Sequence, residues 1–68
     1  MKLRAGQVEV GDRFTKTGFH PRIVYVVGAI VASYGHPQHV RLLAEGQNDS
    51  MLISVSALTD DEFWLRVA

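Results

Sequence analysis

Cysteine is absent from this chain of 68 residues, which excludes disulfides, thiol catalysis and thiolate zinc sites together. Neither sign of charge is in excess, since seven Lys and Arg balance seven Asp and Glu. A strong global field for nucleic acid or membrane lipid is therefore missing. The longest apolar run, Ile23 to Ala32, is half of the roughly 20 residues that a membrane helix needs. Met1 to Leu3 is followed by Arg4, Gly6 and Glu9, not by the charged-then-apolar order of a secretory leader, and a cytoplasmic location is expected. No catalytic motif stands out.

What is present is a high apolar fraction, 47%, in a chain near the lower size limit for independent folding. A domain this short buries only about 60% of the surface its unfolded chain exposes. With disulfides excluded, one domain spanning residues 1–68 needs a rich core or association with another chain. Charge is unevenly spread along the sequence. Residues 1–41 hold Lys2, Arg4, Arg13, Lys16, Arg22 and Arg41 against Glu9 and Asp12, whereas residues 42–68 hold Arg66 against Glu45, Asp49, Asp60, Asp61 and Glu62. Such asymmetry suits a basic face for an anionic partner or two complementary faces in a dimer. A closed sheet that mixes the two halves gives a simply solvated surface instead.

Periodicity points to strands. Val8 and Val10 precede the turn pair Gly11-Asp12, and Arg13 to Thr17 alternates as a first strand before Gly18 breaks it. Gly18 to Pro21 reads as a loop, with His20 pushed to an extended conformation by the following proline. Ile23 to Ala32 is bulky and β-branched on both sides of the two-residue period. It is therefore expected to be buried on both faces, or to pass from one sheet of a barrel to the other. Gly28 marks the bend or bulge such a crossing needs. A helix is disfavoured by its valines, isoleucines and central glycine.

Ser33 to Gln38 is a loop, and His39 to Ala44 a third strand with Val40, Leu42 and Ala44 on one face and His39, Arg41 and Leu43 on the other. Glu45 to Ser50 is rich in turn formers and leads as a hairpin to a fourth strand, Met51 to Val55. Either Leu52 or the pair Met51 and Ile53 faces its core. Ser56 to Leu58 fits a single 3₁₀ turn. Thr59 and Glu62 have capping-box spacing for a short helix, but Phe63 to Val67 is preferred as a closing strand that covers an open edge. The expected fold is all-β, a small five-stranded barrel with one 3₁₀ turn before the last strand.

That order resembles an SH3-like barrel. Gly11 to Arg13, Ile23 to Val31, Pro37 to Leu42 and Ile53 to Leu58 are similar to the Gly-Asp-Arg, Val-rich, Pro-x-His-Val-Arg-Leu and Ile-Ser-Val-Ser-Ala-Leu motifs of a group of short, functionally uncharacterised bacterial proteins. This resemblance implies a fold and no activity. Gly11-Asp12-Arg13 and Ala57-Leu58 also resemble the type II dihydrofolate reductases, SH3-like barrels that form a tetramer around a central pore. Their pore-lining Gln-Ile-Tyr stretch corresponds here to Met51, Leu52 and Ile53, so the groups for folate and nicotinamide are missing and the likeness implies shared fold alone.

The remaining chemistry is sparse. His36 and His39, spaced His-x-x-His, with His20 in another loop, could ligate zinc or nickel only with a third protein ligand that no motif supplies. They read as loop histidines, and no metal or cofactor is expected. Asp60, Asp61 and Glu62 read as a solvated turn, and Ser54 and Ser56 lack triad partners. Phe14, Tyr25 and Trp64 are candidates for the core. Phe19 and Tyr34, in the loops after the first and second strands, are candidates for a binding surface, with Trp64 as a third anchor. Arg13, Lys16, Arg22 and Arg41 would add a basic patch if they share that face. The function expected is a non-enzymatic interaction module that docks a protein partner or a second copy of itself, with no membrane contact. The alternative is weak, salt-sensitive binding of single-stranded nucleic acid.

Overall fold

A computed structural model describes residues 8–18, 22–32 and 34–67. Five strands are present: β1 (Arg13–Lys16), β2 (Val24–Val31), β3 (His39–Ala44), β4 (Ser50–Ser54) and β5 (Trp64–Val67), with one helical turn, α1 (Val55–Leu58), between β4 and β5. They form a single antiparallel sheet in the order β4-β3-β2-β1-β5. The sheet curls into a half-barrel around one core. Among the described residues no helix is long and apolar enough to cross a membrane.

The curl originates in β2. Its register with β3 shifts between Val27 and Ala29, a bulge centred on Gly28 as the sequence predicts. Across β2 from there, Gly11 N–H donates to the Val27 carbonyl and Val27 N–H to the Asp12 carbonyl, both at 2.8 Å. Two residues thus oppose one, in a second bulge whose first position, Gly11, has φ +95°. That conformation suits glycine. The same glycine completes the turn closed by Asp12 N–H to the Glu9 carbonyl at 3.1 Å. The bend expected at Gly28 is present, within one continuous curled sheet instead of a crossing between two, and burial on both faces does not hold. Val27 is fully buried, while Val31 on the outer side and Ile30 toward the end of the inner side, opposite Val40, both remain more than a third exposed.

The inner face collects Phe14, Val27, Val40, Leu42, Leu58 and Trp64, flanked by Val8, Tyr25, Met51, Ile53 and Val55. Each fully buried valine or leucine contributes about 1.5–3 kcal/mol. Met51 and Ile53, not Leu52, therefore form the core face of β4. Tyr25 meets the Trp64 ring edge-on, with centroids 5.6 Å apart, a favourable quadrupolar arrangement. Thr15 is the one buried polar residue of the described set, and its hydroxyl donates to the Ile23 carbonyl at 2.9 Å.

Two boundaries differ from expectation. Where a 3₁₀ turn over Ser56 to Leu58 is predicted, the chain makes an α-helical turn starting one residue earlier. Ser54 ends β4 in an extended conformation, and its hydroxyl accepts the Ala57 N–H at 3.2 Å as an N-cap. Thr59 N–H then closes onto the Val55 carbonyl at 3.0 Å, the four-residue spacing of an α-helix. Thr59 does not cap a following helix, because its hydroxyl also donates back to Val55, at 2.8 Å. Asp60 takes that role for one turn, its carboxylate accepting Glu62 N–H at 3.0 Å and its carbonyl accepting Phe63 and Trp64 N–H. The closing strand consequently starts at Trp64, and Phe63 stands outside it.

An ideal Cβ on Gly28 falls 2.9 Å from Cδ1 of Leu43, a side chain that is 45% exposed on the outer face and able to swing aside. Gly28→Ala is expected to destabilise by about 1 kcal/mol or less, and the penalty should vanish in a Leu43→Ala background. Urea denaturation of the four proteins of this cycle measures the coupling. Strict additivity would show that backbone geometry at Gly28, not Leu43, sets the cost.

Candidate functional site

The alternation of each strand defines the outer face. Opposite the core set stand Val24, Val26, Ala29 and Val31 of β2, His39, Arg41 and Leu43 of β3, Ser50, Leu52 and Ser54 of β4, and Leu65 and Val67 of β5. Leu43, Leu52 and Leu65 are 45%, 54% and 43% exposed. Apolar side chains thus span β4, β3 and β2 with polar groups around them, and Arg13 and the buried Thr15 of β1 separate them from Leu65 on β5. That is the composition of an interface centre with a polar rim.

Two shallow recesses open at opposite ends of the β3–β4 pair. One, of about 270 Å³, is lined by Val31, His36, Pro37, His39 and Leu52. The other, of about 290 Å³, is lined by Leu43, Gln47, Asn48, Asp49 and Ser50. Each includes one of the exposed leucines, so both belong to the same surface.

The sequence-predicted residues are only partly gathered here. Arg13 projects from the outer face of β1 and reaches over β2 to the turn after β3, where its Nε and Nη2 donate to the two Glu45 carboxylate oxygens at 2.9 and 3.1 Å. Arg41 stands exposed on the outer face of β3, beside Leu52. Lys16 lies opposite Trp64 in the register, with Nζ 6.0 Å from the indole centroid, and so belongs to the other face. Arg22 is exposed ahead of β2. The four cations therefore do not share one face. Arg66, unassigned by the sequence reading, pairs with Asp12 at 2.7 Å and stacks over Phe14 at 4.8 Å.

The aromatic candidates also separate. Tyr34 is fully exposed in the loop after β2. Trp64 is 5% exposed, and its assignment as a surface anchor is corrected, since the half-barrel closes over it and Tyr25 packs on its ring. Phe19 lies outside the described residues. So does His20, while His36 and His39 line the same recess and Nδ1 of His39 is 2.9 Å from the Pro37 carbonyl oxygen. Among the described residues no three His, Asp or Glu side chains are grouped to hold a metal ion. Ser54 Oγ serves the α1 cap and approaches Ser56 Oγ at 3.4 Å, and His39, opposite Ser54 in the register, has its Nδ1 at the Pro37 carbonyl.

Leu43, Leu52 and Leu65 were not singled out from sequence, although a signal existed. Leu43 falls on the non-core side of an alternating strand, and an apolar residue there is what an uncovered sheet face looks like. Comparison with known proteins matches the chain to no family model, no curated protein and no solved structure.

The Arg13–Glu45 pair sets a pH dependence. The hydrogen bond from Arg13, aided by its charge, holds the Glu45 carboxylate below its ordinary 4.5 against a smaller effect of desolvation, and the same bond raises Arg13. With the folded-state value below the unfolded one, the pair's contribution is fully present above 4.5 and is lost as pH falls through the lower folded value. Glu45→Gln should therefore lower stability slightly at neutral pH and have no effect in strong acid, and high salt should shrink the difference. Denaturant curves at both pH values check it. An equal loss in acid would assign the effect to packing instead of charge.

Proposed function

We propose that this chain is a small SH3-like interaction module, working in the cytoplasm without catalysis, that docks a protein partner or a second copy of itself through the outer face of its sheet. One observation carries this reading. β2 is apolar on both of its faces, and among the described residues Val31 on its outer side, Leu43 of β3 and Leu52 of β4 are more than a third exposed, as is Leu65 on the far edge strand β5. A domain this small exposes such a face at a cost in solubility unless something covers it. The strand order and the helical turn before the last strand support the SH3-like assignment. The lack of cysteine accords with a reducing compartment.

Nucleic-acid binding finds less support. Arg13 is committed to Glu45 in a two-pronged pair, Lys16 belongs to the opposite face, and only Arg41 of the remaining cations stands within the strands of the outer surface. Four dispersed charges on a neutral domain give a weak, strongly screened field.

Isotope-labelled protein in concentrated cell extract provides the test. Methyl signals of Val31, Leu43, Leu52 and Leu65 should broaden and stay broadened at moderate salt, and Leu43→Asp should restore sharp lines. Unchanged methyl signals, together with salt-sensitive amide shifts at Arg13, Lys16, Arg22 and Arg41 on adding a single-stranded oligonucleotide, would transfer the function to nucleic-acid binding.

A further inference from the structure

The sheet has two edges, β4 and β5, and they are unlike. β5 carries Arg66, whose guanidinium pairs with Asp12 across β1, whereas Ser50–Ser54 of β4 contains no charge, no proline and no glycine. Charges, prolines and bulges are the means by which exposed edges avoid pairing with other chains. β4 has none of them.

Its hydrogen-bond parity shows what the edge offers. Ala44 N–H donates to the Asp49 carbonyl at 3.0 Å, and Val55 N–H to the Gln38 carbonyl at 2.9 Å. In the register that places Leu42 opposite Met51 and Val40 opposite Ile53, the bonded pairs of an antiparallel ladder alternate. The main-chain groups of Met51 and Ile53 therefore point to β3. Those of Ser50, Leu52 and Ser54 point outward, and no described residue pairs with them. The Ser54 carbonyl is set aside for the first bond of α1, as at any N-cap.

The side chains of this edge read the same in both directions: Ser, apolar, Leu, apolar, Ser. Antiparallel pairing of two such strands about a two-fold axis at Leu52 sets Leu52 against the partner's Leu52, Met51 against the partner's Ile53, and Ser50 against the partner's Ser54. Like meets like at every position, and no two like charges are opposed. We infer that the outward β4 edge, self-complementary about Leu52, joins two copies of this chain into a continuous sheet of ten strands. Leu52 N–H and carbonyl exchange bonds with the same groups of the partner's Leu52, and each Ser54 N–H donates to the carbonyl of the partner's Ser50. On the outer face the two Leu52 side chains meet and connect the two apolar surfaces, and on the inner face Met51 stands beside the partner's Ile53. The symmetry is isologous and closed, so pairing stops at the dimer.

This inference rests on the reading of the chain as an interaction module and names its partner. Sedimentation velocity of the full chain over a range of concentrations gives its mass, and hydrogen exchange at the two ends of that range follows the amides of Leu52 and Ser54. A dimer is expected, with both amides slowed about tenfold or more as it forms. Leu52→Pro removes an N–H that β3 does not use, and Leu52→Lys, at a half-exposed position, opposes two ammonium groups at the axis. Each should raise the dissociation constant by more than about tenfold with the monomer's amide spectrum preserved. If the proline variant does not fold, the lysine variant decides alone. A monomer at every concentration overturns the inference. So does a dimer that withstands Leu52→Lys while the Leu52 amide exchanges freely. If Leu43→Asp, which the edge pairing leaves untouched, dissolves that second dimer, the outer face itself associates and the interaction reading survives without the edge.

Discussion

Val27 is the fixed point of this domain. Its N–H and carbonyl are both taken by Gly11 and Asp12, its side chain is fully buried opposite Leu42, and the next residue is the glycine at which β2 bends. Bulges lie on both sides of it, one in the chain leading to β1 and one in β2 itself. Each adds twist to a sheet that is already right-handed, and together they turn a flat ribbon of five strands into a half-barrel. A core forms only because of that curl. The inner side chains of β3 and β4 can then face Phe14, Leu58 and Trp64 instead of solvent. With no cysteine to cross-link it, the fold relies on this single geometric device and the apolar cluster it encloses.

The strands were readable because their signals are local. Gly28 inside a β-branched run, the turn formers from Glu45 onward and the alternation of His39 to Ala44 each depend on a few neighbouring residues, and all three features are in place. The helical turn was located correctly and classed wrongly, since the choice between three- and four-residue spacing depended on whether the Ser54 hydroxyl would capture Ala57. That is a competition of about 1 kcal/mol. Which side of β4 faces inward was open in the sequence because Met51, Leu52 and Ile53 are all apolar. Only pairing with β3 selects a register.

The candidate surface was less legible, for a different reason. Charges were grouped by their order along the chain, but a curled antiparallel sheet distributes neighbours to opposite faces. Arg13 and Lys16, three residues apart, end on different sides, and Arg13 meets Glu45 at a sequence separation of 32. The apparent polarity of the two halves is thereby partly cancelled in space. Trp64 illustrates the same point. Adjacent to Phe63 in sequence, it enters the core while Phe63 stays 55% exposed, because neighbouring residues of an extended chain face opposite ways and pairing with β1 turns Trp64 inward.

The apolar part of the outer face and the uncharged edge meet at one residue. Leu52 is the outward side chain of β4 that the core does not use, it lines the recess with His36 and His39, and its main-chain groups lie on the unprotected side of the strand. An apolar residue at such a place adds nothing to the isolated fold. A lysine would protect the edge and solubilise the face at little cost, and leucine at this position is the feature on which the proposed edge pairing turns. Edge pairing satisfies the main chain and leaves most of the outer face accessible. The two features are therefore not competing explanations of one surface. A pair of chains joined along β4 presents both apolar faces side by side, roughly doubling the area available to a further partner without any new contact within either fold.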